Sequence, residues 1–173
     1  MSKTEENLKA AFAGESQARN KYQFWAKVAK KEGYHYIAKI FEETAANEMR
    51  HAKDEFALLD GIGDTAANLQ AAAEGAHYET VEMYPTFAKE AAEEGNKKAA
   101  ALFKLIAKIE AHHRDRYRKL LEMVKTGTVY KRDEPIKWKC SVCGYIHEGT
   151  EPPGKCPCCA HGLEHFEPAN MDF

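Results

Sequence analysis

"ANEMRHAK" (residues 46–53) and "KIEAHHRD" (residues 108–115) decide how this chain is read, because each places a glutamate three residues ahead of a histidine. Residues three apart on a helix share a face, so Glu48 with His51, and Glu110 with His113, each present a carboxylate oxygen and an imidazole nitrogen together. One such pair in a charged helix is ordinarily a solvated stripe. Two in corresponding places ask for another explanation.

The correspondence is an internal repeat. "AGESQARNKYQFWAKVAKKEG" (13–33) can be laid on "EGAHYETVEMYPTFAKEAAEEG" (74–95), matching Gly14 to Gly75, and each segment closes on a charged turn and a glycine. Glu15 precedes Glu48 by 33 positions and Ala76 precedes Glu110 by 34, which leaves one inserted residue, expected near Pro85. Glu15 lies among Phe12, Ala18, Tyr22 and Trp25 on the apolar stripe, so its carboxylate is expected to point inward. Ala76 therefore stands where the repeat asks for a carboxylate. Glu79, one turn further on nearly the same face, is either a further ligand or a surface acid. Glu74, Glu82, His77 and His112 lie off that face or off the repeat's spacing and are expected to be exposed. Tyr22 and Tyr84, at related places in the two segments, are either core aromatics or hydroxyl donors.

Composition along the chain divides it. Up to about residue 126 it is rich in Ala, Glu, Lys and Leu with a helical period, and it resolves into four helices at about 4–31, 34–59, 69–93 and 96–125. Thr4 is the expected first cap, and Pro85 should kink or widen the third helix. "GTVYKRDEPIKW" (127–138) has the composition of an extended linker. The expected division is a helical domain over 1–134 and a small domain over 135–173, too short to hold a core without a staple. "WKCSVCGYIHEG" (138–149) and "GKCPCCAHG" (154–162) supply that staple: Cys140 and Cys143, with Cys156 and Cys159, form two Cys-x-x-Cys knuckles suited to tetrahedral iron or zinc. Cys158 breaks the spacing and reads as a bystander thiol. His147, His161 and His165 are not needed once four sulfurs fill the site.

The 173 residues are 44% hydrophobic with a formal net charge of -2 and interspersed signs, which argues against nucleic acid and membrane surfaces as partners. No run is long enough for a membrane span and the N-terminus is polar, so a cytoplasmic location is expected. Cysteines clustered in one short segment of such a chain point to metal rather than disulfides.

Several carboxylates turned into a core are too costly unless cations neutralise them, and oxygen with imidazole suits iron, manganese or zinc. One Glu from each of two helices plus Glu-x-x-His from each of the others is the donor set of ferritin-like di-metal bundles. With "AFAGESQARNKY", "FEETAANEMRHAK", "EMYPTFAKEAAEEG" and the cysteine knuckles in this order, nearly the whole chain resembles rubrerythrin. The resemblance implies a mainly α fold, a ferritin-like four-helix bundle followed by a small rubredoxin-like, metal-stapled β/loop domain. It implies a non-haem di-iron peroxidase reducing hydrogen peroxide to water, in oxidative-stress defence, with electrons from an iron bound by Cys140, Cys143, Cys156 and Cys159, where zinc can substitute. It implies di-iron ligands Glu15, Glu48, Glu79, Glu110 and His113, with Glu48 and Glu110 bridging and His51 exchanging with Glu79 on one iron. Tyr22 and Tyr84 would donate hydrogen bonds. Partners would be an electron-donating reductase or rubredoxin and a second copy in a homodimer.

Ala76 departs from the family pattern, which has a ligand glutamate there. The intact remainder favours an engineered Glu→Ala replacement over a natural variant, and activity is expected to be altered. Two other readings are a ferritin-like iron-oxidising or storage protein and a zinc-ribbon interaction protein.

Overall fold

The computed structural model describes residues 2–169. Helix α1 (Lys3–Lys31) is capped two residues before the expected Thr4, because Ser2 takes that role: its hydroxyl accepts the Glu5 N–H at 3.2 Å, with the glutamate three residues on as in a capping box. After a turn at Gly33 the chain returns as α2 (His35–Leu58). The two helices run antiparallel. Phe12 stacks on Phe56 with ring centroids 4.7 Å apart, and at the other end Tyr22 and Trp25 close on Phe41 at 6.1 and 5.9 Å. Ala26, Ala29 and Ala38 are buried, with Phe41 packed against them, and such small side chains let helix axes approach closely.

Helix α3 (Thr65–Tyr78) begins four residues earlier than residue 69, because Asp64 caps it by accepting the Ala67 N–H at 2.8 Å. It passes without a break into a π-helical segment (Glu79–Met83) and then α4 (Tyr84–Glu93), where the Tyr84 N–H reaches back to the Glu79 carbonyl. Of the two effects expected at Pro85, the helix widens. This widening absorbs the extra residue of the repeat: Gly14 and Gly75 are 61 positions apart before it, Tyr22 and Tyr84 are 62 apart after it. Beyond that point the halves match in detail. Tyr84, Phe87 and Phe103 form the same ring group as Tyr22, Trp25 and Phe41, and Ala88, Ala91 and Ala100 are buried as Ala26, Ala29 and Ala38 are. Helix α5 (Lys97–Thr126), capped by Asn96, packs along α3 and α4.

The described chain falls into two compact units, one reaching to Gly63 and one starting at Asp64. The second also carries a three-stranded antiparallel sheet, with β1 (Ile136–Cys140) between β2 (Ile146–Gly149) and β3 (Phe166–Pro168). Its core is Trp138, Cys140, Cys156 and Phe166, and the Trp138 indole donates to the Gly149 carbonyl at 2.9 Å. The stretch expected as an extended linker is folded: the Lys131 N–H closes a turn on the Thr128 carbonyl, and the Arg132 N–H donates to Thr150. Side chains of that stretch find partners on both sides of it, which its composition does not disclose. Among the described residues no helix is long and apolar enough to cross a membrane.

Candidate metal centres

The four sulfurs meet because the two knuckles are copies of one loop. In the first, the Cys140 N–H donates to the Tyr145 carbonyl and the Gly144 N–H donates back to the Cys140 carbonyl; in the second, the Cys156 N–H donates to the His161 carbonyl and the Ala160 N–H to the Cys156 carbonyl. Both loops need a left-handed residue after the second cysteine, met by Gly144 at φ 79° and, at a steric cost, by Ala160 at φ 61°. The Sγ atoms of Cys140 and Cys159 lie 3.7 Å apart, those of Cys143 and Cys156 3.6 Å. A metal bound tetrahedrally by thiolates at about 2.3 Å needs edges of about 3.8 Å, so the donor set fits. Loop N–H groups favour the charge such a metal requires. N–H donation from Cys143 brings Cys140 below the ordinary thiol range; burial opposes ionisation of Cys156, but N–H groups of Cys159 and Cys158 bring it to about 7. Cys158 is exposed and outside the cluster.

The first helical unit gathers Glu15 from α1 with Glu48 and His51 from α2, their ligand atoms all within 4.8 Å of one another. His51 Nδ1 lies 3.0 Å from Glu48 Oε2 and 3.8 Å from Glu15 Oε2. The hydrogen bond shared with Glu48, then burial and the Glu48 charge, hold the Glu15 carboxyl above its ordinary range. Sequence reasoning passed over Glu55. It lies on the same face two turns beyond Glu48, its charge reaches Glu15, and its Oε2 is buried without a hydrogen-bond partner. The seven-residue spacing from Glu48 was the available signal. An unpaired buried carboxylate oxygen beside two more acids and an imidazole is what a cation site looks like without its cation.

The second unit repeats this with a difference. His113 Nδ1 lies 2.9 Å from Glu110 Oε2, and Glu79 comes in from the π-helical segment to hydrogen-bond Glu110. Burial first, then the charge of Glu110, raises the Glu79 pKa; Tyr84 is raised by burial and by the charges of Glu79 and Glu110, which places its hydroxyl near both acids. Tyr22 packs against Trp25 and Phe41. Ala76 is buried, 5% exposed, and its carbonyl accepts the Thr80 hydroxyl at 2.7 Å; its methyl group cannot ligate. Glu74, Glu82, His77 and His112 are exposed.

Two family descriptions match this chain, "Rubrerythrin" over residues 6–121 and "Rubrerythrin, rubredoxin-like domain" over 138–167. The chain belongs to the rubrerythrin family. It is 49% identical to rubrerythrin of Porphyromonas gingivalis, over 99% of this chain and 92% of that one. It is 46% identical to rubrerythrin of Nitratidesulfovibrio vulgaris, over 96% and 94%. A solved structure of nigerythrin in a partially reduced state shares 37% identity at a TM-score of 0.38, covering 98% of this chain and 88% of that one. As in a rubrerythrin, the helical region is ferritin-like and the four-cysteine region rubredoxin-like. The cofactors follow: a rubredoxin-type iron for the four sulfurs and a di-iron centre for the glutamate and histidine donors.

Proposed function

We propose that this rubrerythrin is a non-haem di-iron peroxidase that reduces hydrogen peroxide to water, an oxidoreductase of oxidative-stress defence. The observation that carries the reading is one chain bearing two acid and imidazole groups together with a compact four-sulfur cluster. Glu15, Glu48 and His51, with Glu79, Glu110 and His113, are the donors to the iron pair; Cys140, Cys143, Cys156 and Cys159 hold the relay iron. In domain terms, residues 1–134 carry the pair and 135–173 the relay. Bound iron supplies Lewis acidity and the electrons that break the oxygen–oxygen bond.

The chain's own residues do the rest. Reduction of one peroxide to two waters consumes two protons with two electrons, so neutral donors must stand close by. Tyr84, near Glu79 and Glu110, keeps its proton at physiological pH and donates a hydrogen bond toward the site; Tyr22 holds the matching place in the first unit and supplies a second hydroxyl. With iron bound, His51 and Glu79 would be the alternative donors to one iron, an imidazole suiting the lower metal charge and a carboxylate the higher. Ala76 leaves one donor place open, so this chain works below the level of its Ala76→Glu variant. Electrons arrive from a reductase or a rubredoxin in the cytoplasm. A homodimer is part of the proposal, supported by exposed Phe24, Trp25, Ile37 and Ile40 in one unit and Leu102, Leu105 and Ile109 in the other.

The test joins metal analysis of purified protein to reoxidation of its reduced form by peroxide, run alongside Ala76→Glu. A red protein holding an iron pair plus a relay iron, reoxidised in proportion to added peroxide, is expected. Iron uptake without peroxide turnover in either chain favours a ferritin-like store; a colourless, zinc-bearing protein favours an interaction module.

A further inference from the structure

The segment between α5 and β1 has the composition of a tether, yet it is bonded at both ends. On the helix side, Gly127 adopts φ 67° and the Thr128 N–H folds back to the Met123 carbonyl at 2.8 Å, so Thr128 is part of the helix terminus. The Arg132 guanidinium then donates to the carbonyls of Thr128 at 3.1 Å, Val129 at 3.3 Å and Lys131. On the other side the same guanidinium lies over the Trp138 ring, 5.1 Å from its centroid. Trp138 is fully buried and sits two residues before Cys140 on β1. Tyr130 packs on the same buried cluster, and Lys131 pairs with Glu151 at 3.1 Å. One planar group therefore touches the end of α5 and the strand that carries a metal ligand.

We propose that Arg132 is a positioning residue that locks the four-cysteine domain to the C-terminal end of α5, so that helix and domain turn as one body. The proposal rests on the reading of the four-cysteine iron as an electron relay. Electron transfer weakens steeply with distance, and a domain swinging on a tether would spend most of its time out of range. Domains joined by a small interface move relative to one another by default, so the latch is what would remove that motion. Arginine suits the task because Nη1 alone donates to the carbonyls while the flat face of the group lies on an indole; a lysine ammonium can donate but has no face to stack.

The experiment uses the full-length protein with zinc in the four-sulfur site and reads rotational correlation times from backbone amide NMR relaxation. Residues 136–168 and α5 are expected to tumble together in the unsubstituted protein. In Arg132→Ala the time for 136–168 should fall roughly twofold while that of α5 holds, as for domains released onto a linker. Arg132→Lys should loosen it as well. A Gly-Ser pair inserted between Gly127 and Thr128, which leaves Arg132 and Trp138 untouched, should do the same and guards against a variant that merely misfolds. In the iron-loaded protein these variants should slow single-turnover electron transfer out of the four-sulfur iron, with its potential and visible spectrum unchanged. Separate tumbling in the unsubstituted protein, joint tumbling in Arg132→Ala, or an unchanged transfer rate in a loosened variant overturns the proposal. If the chain proves inert to peroxide while Arg132→Ala still frees the domain, the peroxidase reading falls and the joint stands.

Discussion

The α1–α2 hairpin and the α3–α5 hairpin are packed from the same parts but carry different acids. Tyr22, Trp25 and Phe41 in the first reappear as Tyr84, Phe87 and Phe103 in the second, and the same three alanine positions are buried in each. The donors diverge. Where the first has Glu15 and Glu55, the second has Ala76 and Tyr117, and it adds Glu79 from a π-helical turn that the first lacks. Packing and metal chemistry are thus separable layers of one repeat. A buried alanine at position 76 satisfies helix packing fully, so nothing in the local fold asks for an acid there; only ligation does.

Removing an acid from each hairpin tests the comparison most severely. Glu48→Ala and Glu110→Ala should each lower iron affinity by more than the roughly hundredfold that loss of an outer partner can cost, measured by metal titration. If one substitution spares iron binding, the two groups are not equivalent donors. Ala76→Glu comes next: restoring the repeat should raise peroxide turnover and iron retention about tenfold, the order of a single well-placed hydrogen-bonded charge. Equal rates and equal occupancy would show that the gap carries no chemistry.

Smaller effects address packing. Ala38→Leu and Ala100→Leu place a large side chain at matching close approaches, and each should cost about 1–3 kcal/mol in denaturant unfolding. A cost confined to one hairpin would break their equivalence. The smallest effect is electrostatic. Because burial and Glu110 raise the Glu79 pKa, metal-free folded protein holds that proton more tightly than the unfolded chain does. The stability this lends is present at acid pH and is lost as pH rises through the raised value. Metal-free Glu79→Gln should escape that loss and gain on the parent across this window, by less than about 1 kcal/mol for a solvent-screened group. A pH profile parallel to that of the parent would contradict the assignment.

Much of this was legible in order along the chain, because the signals are short-range. Cys-x-x-Cys and Glu-x-x-His spacings put donors on one loop or one helix face whatever surrounds them, and capping residues with glycine stops bound the helices to within a few residues. The repeat by itself sets Ala76 against Glu15. It also left one residue unplaced, since an extra residue in a helix can become a kink, a loop or a π turn, and only the hydrogen bonds of Glu79–Met83 decide among these.

The amino-acid sequence by itself determined the family, the two kinds of metal donor and the alanine that the repeat sets against Glu15, all properties of residue type at fixed local spacing. Tertiary structure alone decided that Glu55 is left with a buried unpaired oxygen beside Glu15, and that Arg132 spans from the end of α5 to Trp138. Both depend on which surfaces meet across a turn or between helices. A long flexible side chain has no preferred partner until packing closes around it.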